Sequence, residues 1–220
     1  MSIKKVFSSF RLLFAIGVAL LVCNSCGESE KPVKEPTIPA NLTYDEGVII
    51  NGVKWATRNV DRPGTFTNKP EDAGMFYQWN RKTAWVTSGD VTDWNRENPD
   101  GDVWEKINDP SPAGWRVPAL GEIKTLLDSD KVSNEWTTEN GVNGRRFTDK
   151  ETNNSIFIPA AGFRNSDVGQ LDNAGISGRY WCSTQSENIS AYFLNFSAEN
   201  AEWRGHYYRK NGFNIRSVVE

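Results

Sequence analysis

The chain is expected to fold as an α+β domain made mainly of short strands and turns, with one clear helix and long loops. Three observations carry this expectation. Asn51-Gly52 lies between Gly47-Val48-Ile49-Ile50 and Val53-Lys54-Trp55, and Asn-Gly between apolar runs is a strong hairpin signal because both residues accept positive φ. Tyr192, Leu194 and Phe196 alternate with Phe193 and Asn195, the period of two that lines one face of a strand. Leu120, Ile123 and Leu127 fall at i, i+3 and i+7, which gives one apolar stripe on a helix over about 119–128.

Taken in order, the chain opens with a leader. Lys4 and Lys5 precede an apolar run from Leu12 to Val22, followed by Asn24-Ser25-Cys26 and the acidic tract Gly27-Glu28-Ser29-Glu30. A charged start, a short apolar centre and a small residue before cysteine make a lipoprotein-type secretory signal over 1–25. The run is about a dozen residues, short of the roughly 20 that a spanning helix needs. Cys26 is the expected lipid-bearing residue, since Ser25 before it is small. Cys23 is the competing position, but bulky Val22 precedes it. The expected address is the cell envelope, lipid-anchored at the outer membrane and facing the exterior.

Residues 26–45 read as a flexible tether, with Pro32, Pro36 and Pro39 among Lys and Glu; such chain stays extended and solvated. The acidic tract after Cys26 resembles the surface-export signal of Bacteroidota lipoproteins, and reads equally well as a plain spacer. The globular domain is placed at 46–220. After the hairpin, Pro70 to Gly74 gives a weak helical possibility. Lys82 to Asp109 reads as a structured loop anchored by Trp85, Trp94 and Trp104. Phe213, Ile215 and Ser217 alternate with Asn214, Arg216 and Val218 in an expected last strand.

Charge narrows the partners. The chain has 25 basic and 28 acidic residues, and no basic run follows the leader, which argues against nucleic acid. With Cys26 lipidated, Cys182 is the remaining thiol and no intramolecular disulfide is available to the mature domain. Stability must come from core burial, and nine Trp, eleven Phe and six Tyr supply the material.

Few residues of the chain point to chemistry. His206 is the only histidine, so a triad or zinc site would depend on that single ring. Cys182, between Trp181 and Ser183, reads as a small buried hydrophobe. Asp90, Asp93, Glu97, Asp100 and Asp102 could offer oxygens to Ca²⁺. Their spacing is not that of an EF-hand, and Asn98-Pro99-Asp100-Gly101 is good turn chemistry; a solvated loop is the preferred reading. No catalytic residue, metal site or cofactor is assigned. Arg58, Arg116, Arg164 and Arg216 are expected to tie loops to carbonyls and carboxylates.

Five ordered blocks then add a resemblance. They are Trp55-Ala56-Thr57-Arg58-Asn59-Val60, Gly74-Met75-Phe76-Tyr77-Gln78-Trp79, Asn108-Asp109-Pro110-Ser111-Pro112-Ala113-Gly114-Trp115-Arg116-Val117-Pro118, Ile158-Pro159-Ala160-Ala161-Gly162-Phe163-Arg164 and Tyr180-Trp181-Cys182-Ser183-Thr184, with Ile215-Arg216-Ser217 near the end. In this order the chain resembles the Fibrobacter succinogenes major paralogous domain over about residues 46–220. The resemblance implies a C-type-lectin-like fold with a mostly antiparallel β core, in exported proteins of Bacteroidota type, and a role in adhesion or glycan binding. Fold does not dictate function. Formylglycine-generating enzymes share the implied broad fold, but their chemistry uses a pair of cysteines that this chain lacks. Three positions depart from the family pattern: Ser111 stands where Cys is frequent, Ala119 where Thr would cap the helix, and Cys182 where Ser is favoured.

The expected activity is therefore a non-enzymatic binding module for a glycan or cell-surface protein. The alternative is a structural subunit of a surface appendage or envelope complex. The candidate ligand surface is a loop from Ala201 to Lys210 carrying Trp203, Arg204, His206, Tyr207, Tyr208 and Arg209. Flat apolar faces and planar donors there suit sugars or a protein patch. The loop from Lys82 to Asp109 is the next candidate.

Overall fold

The computed structural model describes residues 39–220. The leader, Cys26 and the tether up to residue 38 lie outside the described residues.

The described chain opens with a single helical turn, α1 (Ala40–Thr43), and the hairpin β1 (Val48–Ile50) and β2 (Val53–Trp55). Asn51 and Gly52 both take positive φ at its turn, 45° and 79°, as a turn matching the twist of the strands requires. Short strands β3 (Phe76–Gln78), β4 (Ala84–Trp85) and β5 (Trp115–Arg116) come after it, then the helix α2 (Leu120–Leu126). Three long strands come next: β6 (Val132–Glu139), β7 (Val142–Asp149) and β8 (Ser155–Pro159). β9 (Phe163–Arg164) and β10 (Leu171–Asp172) lead to the meander of β11 (Ser177–Glu187), β12 (Ser190–Ser197) and β13 (Ala201–Tyr208). β14 (Gly212–Phe213) and β15 (Val218–Val219) end the chain.

The strands form four sheets in the orders β1-β2-β15-β5, β10-β9-β14-β3-β4, β11-β12-β13 and β6-β7-β8. Every pairing between these named strands is antiparallel. Mostly antiparallel β structure with little helix is thus the architecture.

β11 and β12 are covered on both faces, so the alternation read in the sequence has apolar residues on each side. Tyr180, Cys182, Leu194 and Phe196 join Trp55, Phe147 and Ile123 in one cluster. Trp181, Ala191 and Phe193 turn the other way, into an aromatic cluster with Trp79, Phe163 and Phe213. Trp181 stacks on Phe213 at 4.0 Å between ring centroids. α2 lays Ile123 and Leu126 into the first cluster, with Leu120 and Leu127 at its margin.

Three expectations need correction. The folded unit begins before Glu46: Leu42 accepts a hydrogen bond from the Phe66 N–H, and the Asp45 carboxylate takes the N–H groups of Gly47 and Thr57 and the Arg58 guanidinium. Pro70 to Gly74 is a turn and extended chain rather than a helix; the Asp72 carboxylate holds the Lys69 N–H. The last segment is two short strands with irregular chain between them. Asn214 there donates to the carbonyls of Ala73 and Met75, and Arg216 to those of Ala56 and Phe157. Side-chain bonds replace the ladder that a continuous strand would need.

Candidate binding surfaces

The segment expected to be a loop, 201–210, is for most of its length a strand. β13 pairs with β12 from Phe196↔Ala201 to Ser190↔Tyr208, with one register shift between Ala191 and Tyr192. His206 is the extra residue of that bulge, and its φ of 117° is in the region that residues with a Cβ avoid. The bulge re-aims the end of the strand. Trp203 and Gly205 stand opposite Leu194 and Tyr192, on the side of the first cluster. Without an extra residue Tyr207 would point the same way. With it, Tyr207 lies opposite Ala191 and joins the aromatic cluster on the other face.

The six proposed ligand residues therefore divide. Tyr207 is half-buried against Phe193, Phe163 and the Arg179 guanidinium, which lies 4.3 Å from its ring. Arg209 is 5% exposed; it donates to the carbonyls of Gly101 and Asn188 and covers the Trp79 ring at 4.9 Å. Both are tied into the fold by these contacts, Arg209 completely and Tyr207 on one side. Trp203 (44% exposed) and Arg204 belong to the outer strand. Trp203 meets Tyr192 edge-on, with Lys124 Nζ 4.8 Å from its ring, and Arg204 Nε holds Glu202 at 2.8 Å. His206, 3.4 Å from the Glu187 carboxylate, and Tyr208 (48% exposed) stand towards the β11–β12 turn.

Arg209 joins this end of β13 to the second candidate segment. Its guanidinium ties Asn188, in the β11–β12 turn, to Gly101. The loop 82–109 is then fixed from several directions. Asn80 accepts from the Glu105 N–H at 2.8 Å and donates to the Asp100 carbonyl. Gln78 donates to the carbonyls of Asn95 and Lys210. Arg164 caps the carbonyls of Val86, Gly89 and Gly169. Trp85 and Trp94 pack together at 4.7 Å, and Trp104 meets Trp79 at 5.5 Å. The three tryptophans anchor the loop as the sequence suggests.

Between this loop and the end of β11 lies an open groove of about 540 Å³, lined by Asp102, Val103, Trp104, Ser183, Thr184, Gln185 and Ser186. The Trp104 ring is held at one edge by its Nε1 bond to the Asn108 carbonyl. Gln185 is steadied by donating to the Glu187 carbonyl, and Ser186 Oγ is buried without a hydrogen-bond partner among the described residues. An aromatic ring, a carboxylate, an amide and hydroxyls thus converge. Sequence reasoning singles out Trp104 and Asp102, but not Ser183 to Ser186, because the groove depends on a long-range bridge between Val103 and Thr184.

The arginines read as structural ties do serve as such. Arg58 bonds Asp45 and the carbonyls of Asn41 and Thr67, and Arg116 grips Glu122 with two nitrogens at 2.8 and 2.7 Å. Cys182 is fully buried with Sγ 3.2 Å from the Tyr192 carbonyl, and burial pushes its thiol up to about 12. It is a packing residue with the thiol held neutral. Among the described residues no group of three or more His, Cys, Asp or Glu is placed to hold a metal ion.

A family model described as a domain of unknown function (DUF8237) matches residues 132–218. That stretch runs from β6 to the first residue of β15 and includes β13 and one wall of the groove, but not the loop that forms the other wall. No curated protein and no solved structure matches the chain.

Proposed function

We propose that this chain is a non-enzymatic binding module, anchored through Cys26 and facing the cell exterior, that takes a glycan or a protein ligand. The groove between Asp102–Trp104 and Ser183–Ser186 is the observation that carries the reading. A ring fixed at its edge offers a flat apolar face, and groups able to donate and accept surround it, as a sugar ring or a polar peptide requires. Tyr208, His206 and Ile189 extend the same end of the molecule. The five sequence blocks support membership of the Fibrobacter succinogenes major paralogous domain family and a C-type-lectin-like form of the antiparallel core. Their tryptophans, Trp55, Trp79, Trp115 and Trp181, are all buried.

The alternative, a subunit of a surface appendage or envelope complex, draws on exposed apolar side chains nearby. Ile107 is 73% and Val103 59% exposed, which suits a protein partner better than a sugar.

A glycan and cell-surface-protein array probed with the full-length chain, in detergent without a sugar headgroup, tests the reading. Asp102→Asn with Gln185→Ala should lose at least about tenfold in ligand affinity, the scale of one or two hydrogen bonds to a charged or polar group, while the melting temperature holds. Retained binding in that variant would move the site away from the groove. Acyl labelling that disappears in Cys26→Ala, but persists in Cys23→Ala, is expected for the anchor.

A further inference from the structure

The outer edge of β13 is a separate surface. Among the described residues β13 pairs on one side only, with β12, in a sheet ordered β11-β12-β13. A depression of about 370 Å³ runs beside it, and its lining is the consecutive strand residues Trp203, Arg204, Gly205, His206 and Tyr207. The strand lines this hollow by itself. Open edges of this kind are templates for another strand.

The register shows which backbone groups are free. The β12–β13 turn closes with the Ser197 N–H on the Asn200 carbonyl. Hydrogen-bonded and non-hydrogen-bonded pairs alternate from there in an antiparallel ladder. Glu202 and Arg204, opposite Asn195 and Phe193, direct their backbone groups to β12, whereas Ala201, Trp203 and Gly205 direct theirs outward.

We infer that this edge pairs with the same edge of a second copy of the chain, antiparallel and about a two-fold axis at Trp203. In that register Trp203 faces its own symmetry mate and exchanges both backbone hydrogen bonds with it. Ala201 faces Gly205 of the other copy, so small residues flank the centre. Glu202 of each copy stands directly opposite Arg204 of the other, on the face away from the tryptophans. A two-fold contact must be self-complementary, and opposite charges two residues apart on an edge strand satisfy that condition. The same charges discourage unrelated strands, and the bulge at His206 ends the ladder. Another terminal strand, β6, is a useful contrast. Its charged residues are Glu135 and Glu139, so two copies joined there in an antiparallel ladder would set like charge against like.

The test is sedimentation velocity over a range of concentrations, on the full-length chain in detergent. The wild type should show a reversible monomer–dimer equilibrium. Glu202→Arg alone and Arg204→Glu alone each place like charges opposite one another twice in the dimer, and each should weaken it about tenfold. The double variant Glu202→Arg/Arg204→Glu restores the complement and should return to near wild-type affinity. Both positions of this cycle carry partly or fully exposed side chains, and melting curves verify folding. In a chain with Cys23→Ser and Cys26→Ser, Trp203→Cys should form an intermolecular disulfide on oxidation, whereas Ala201→Cys, which does not face itself, should form little. A chain monomeric at every concentration overturns the inference, as does a dimer indifferent to the single charge reversals or a double variant no better than the singles. Array binding at the groove is read independently of these outcomes.

Discussion

The loop 82–109 and the strand β13 satisfy their backbones in opposite ways. Among the described residues β13 draws its bonds from one regular neighbour and leaves its other edge free. The loop has little regular structure, yet its carbonyls at Val86, Gly89, Asn95, Glu97, Asp100 and Gly101 are each met by a side chain from elsewhere in the fold: Arg164, Gln78, Arg81, Asn80 or Arg209. Irregular chain can therefore be as firmly placed as a sheet, provided other segments supply donors. The strand is open to a backbone partner, and the loop presents side chains. On this ground we propose the groove, built on the loop, for a ligand and the strand edge for self-association.

The largest expected effect breaks the loop and spares the strand. Arg164 is fully buried and bonds four carbonyls, counting Gly169 and a distant contact to Ser88 at 3.5 Å. Arg164→Ala should cost about 4 kcal/mol, because a large, fully buried side chain is removed and four carbonyls, the buried one of Gly169 among them, lose their donor at once. Arg204→Ala removes an exposed pair on β13 and should cost about 0.5 kcal/mol or less. Denaturant melts of the two variants side by side check the contrast; equal losses would mean that the loop is not held as described.

An intermediate effect belongs to the N-terminal edge of the domain. The Asp45 carboxylate has a fully buried side chain facing Arg58 at 3.0 Å. Burial alone would raise its pKa, but the N–H groups of Thr57 and Gly47, the Thr57 hydroxyl and Arg58 together bring it below the ordinary value. Asp45→Ala should destabilise by about 3 kcal/mol at neutral pH, the cost of leaving a buried arginine without its partner. The folded carboxyl titrates below its unfolded value. Its contribution is complete above the ordinary carboxylate range and drains away as pH falls from there through the lower folded value. The gap in melting temperature between variant and wild type should thus begin to close below about pH 4 and go on closing as the pH falls further. A gap that stays constant with pH would show that the contact stabilises without its charge.

How much of the fold is legible in the chain depends on the reach of each interaction. The Asn51-Gly52 turn, the α2 stripe and the alternation in β12 are local patterns, and the structure carries each of them. Asp45 reads as tether because its partners lie at Thr57 and Arg58, across the β1–β2 hairpin. β13 reads as a loop because Gly205 and the bulge residue His206 interrupt its alternation: Trp203 and Tyr207, four residues apart, end on opposite faces. The arginines are recognisable as ties by type, but not the carbonyls they reach. The groove is half visible, since Trp104 and Asp102 are near neighbours in sequence while Ser183 and Gln185 arrive from the far strand.

The smallest expected effect asks whether long-range donors and acceptors also stand in for a local cap. Ala119 is the N-cap of α2, with extended backbone and no side-chain acceptor. Two of the free N–H groups at this end already have partners: Leu120 donates to Thr184 Oγ1 at 3.0 Å, and the Ala119 N–H to Glu122 Oε2 at 2.7 Å. A hydroxyl at 119 would serve the N–H of Gly121 or Glu122. Restoring a cap is ordinarily worth about 1 kcal/mol. Here β11 supplies part of that service through Thr184, so Ala119→Thr should gain about 0.5 kcal/mol. In a Thr184→Val background the helix end loses its borrowed acceptor, and the same substitution should gain more, nearer the full value. Matched denaturant melts of the four proteins decide it. Equal gains in both backgrounds would mean that Thr184 does not substitute for the cap, and a loss in both would mean that the half-buried site at 119 has no room for an oxygen and a methyl group.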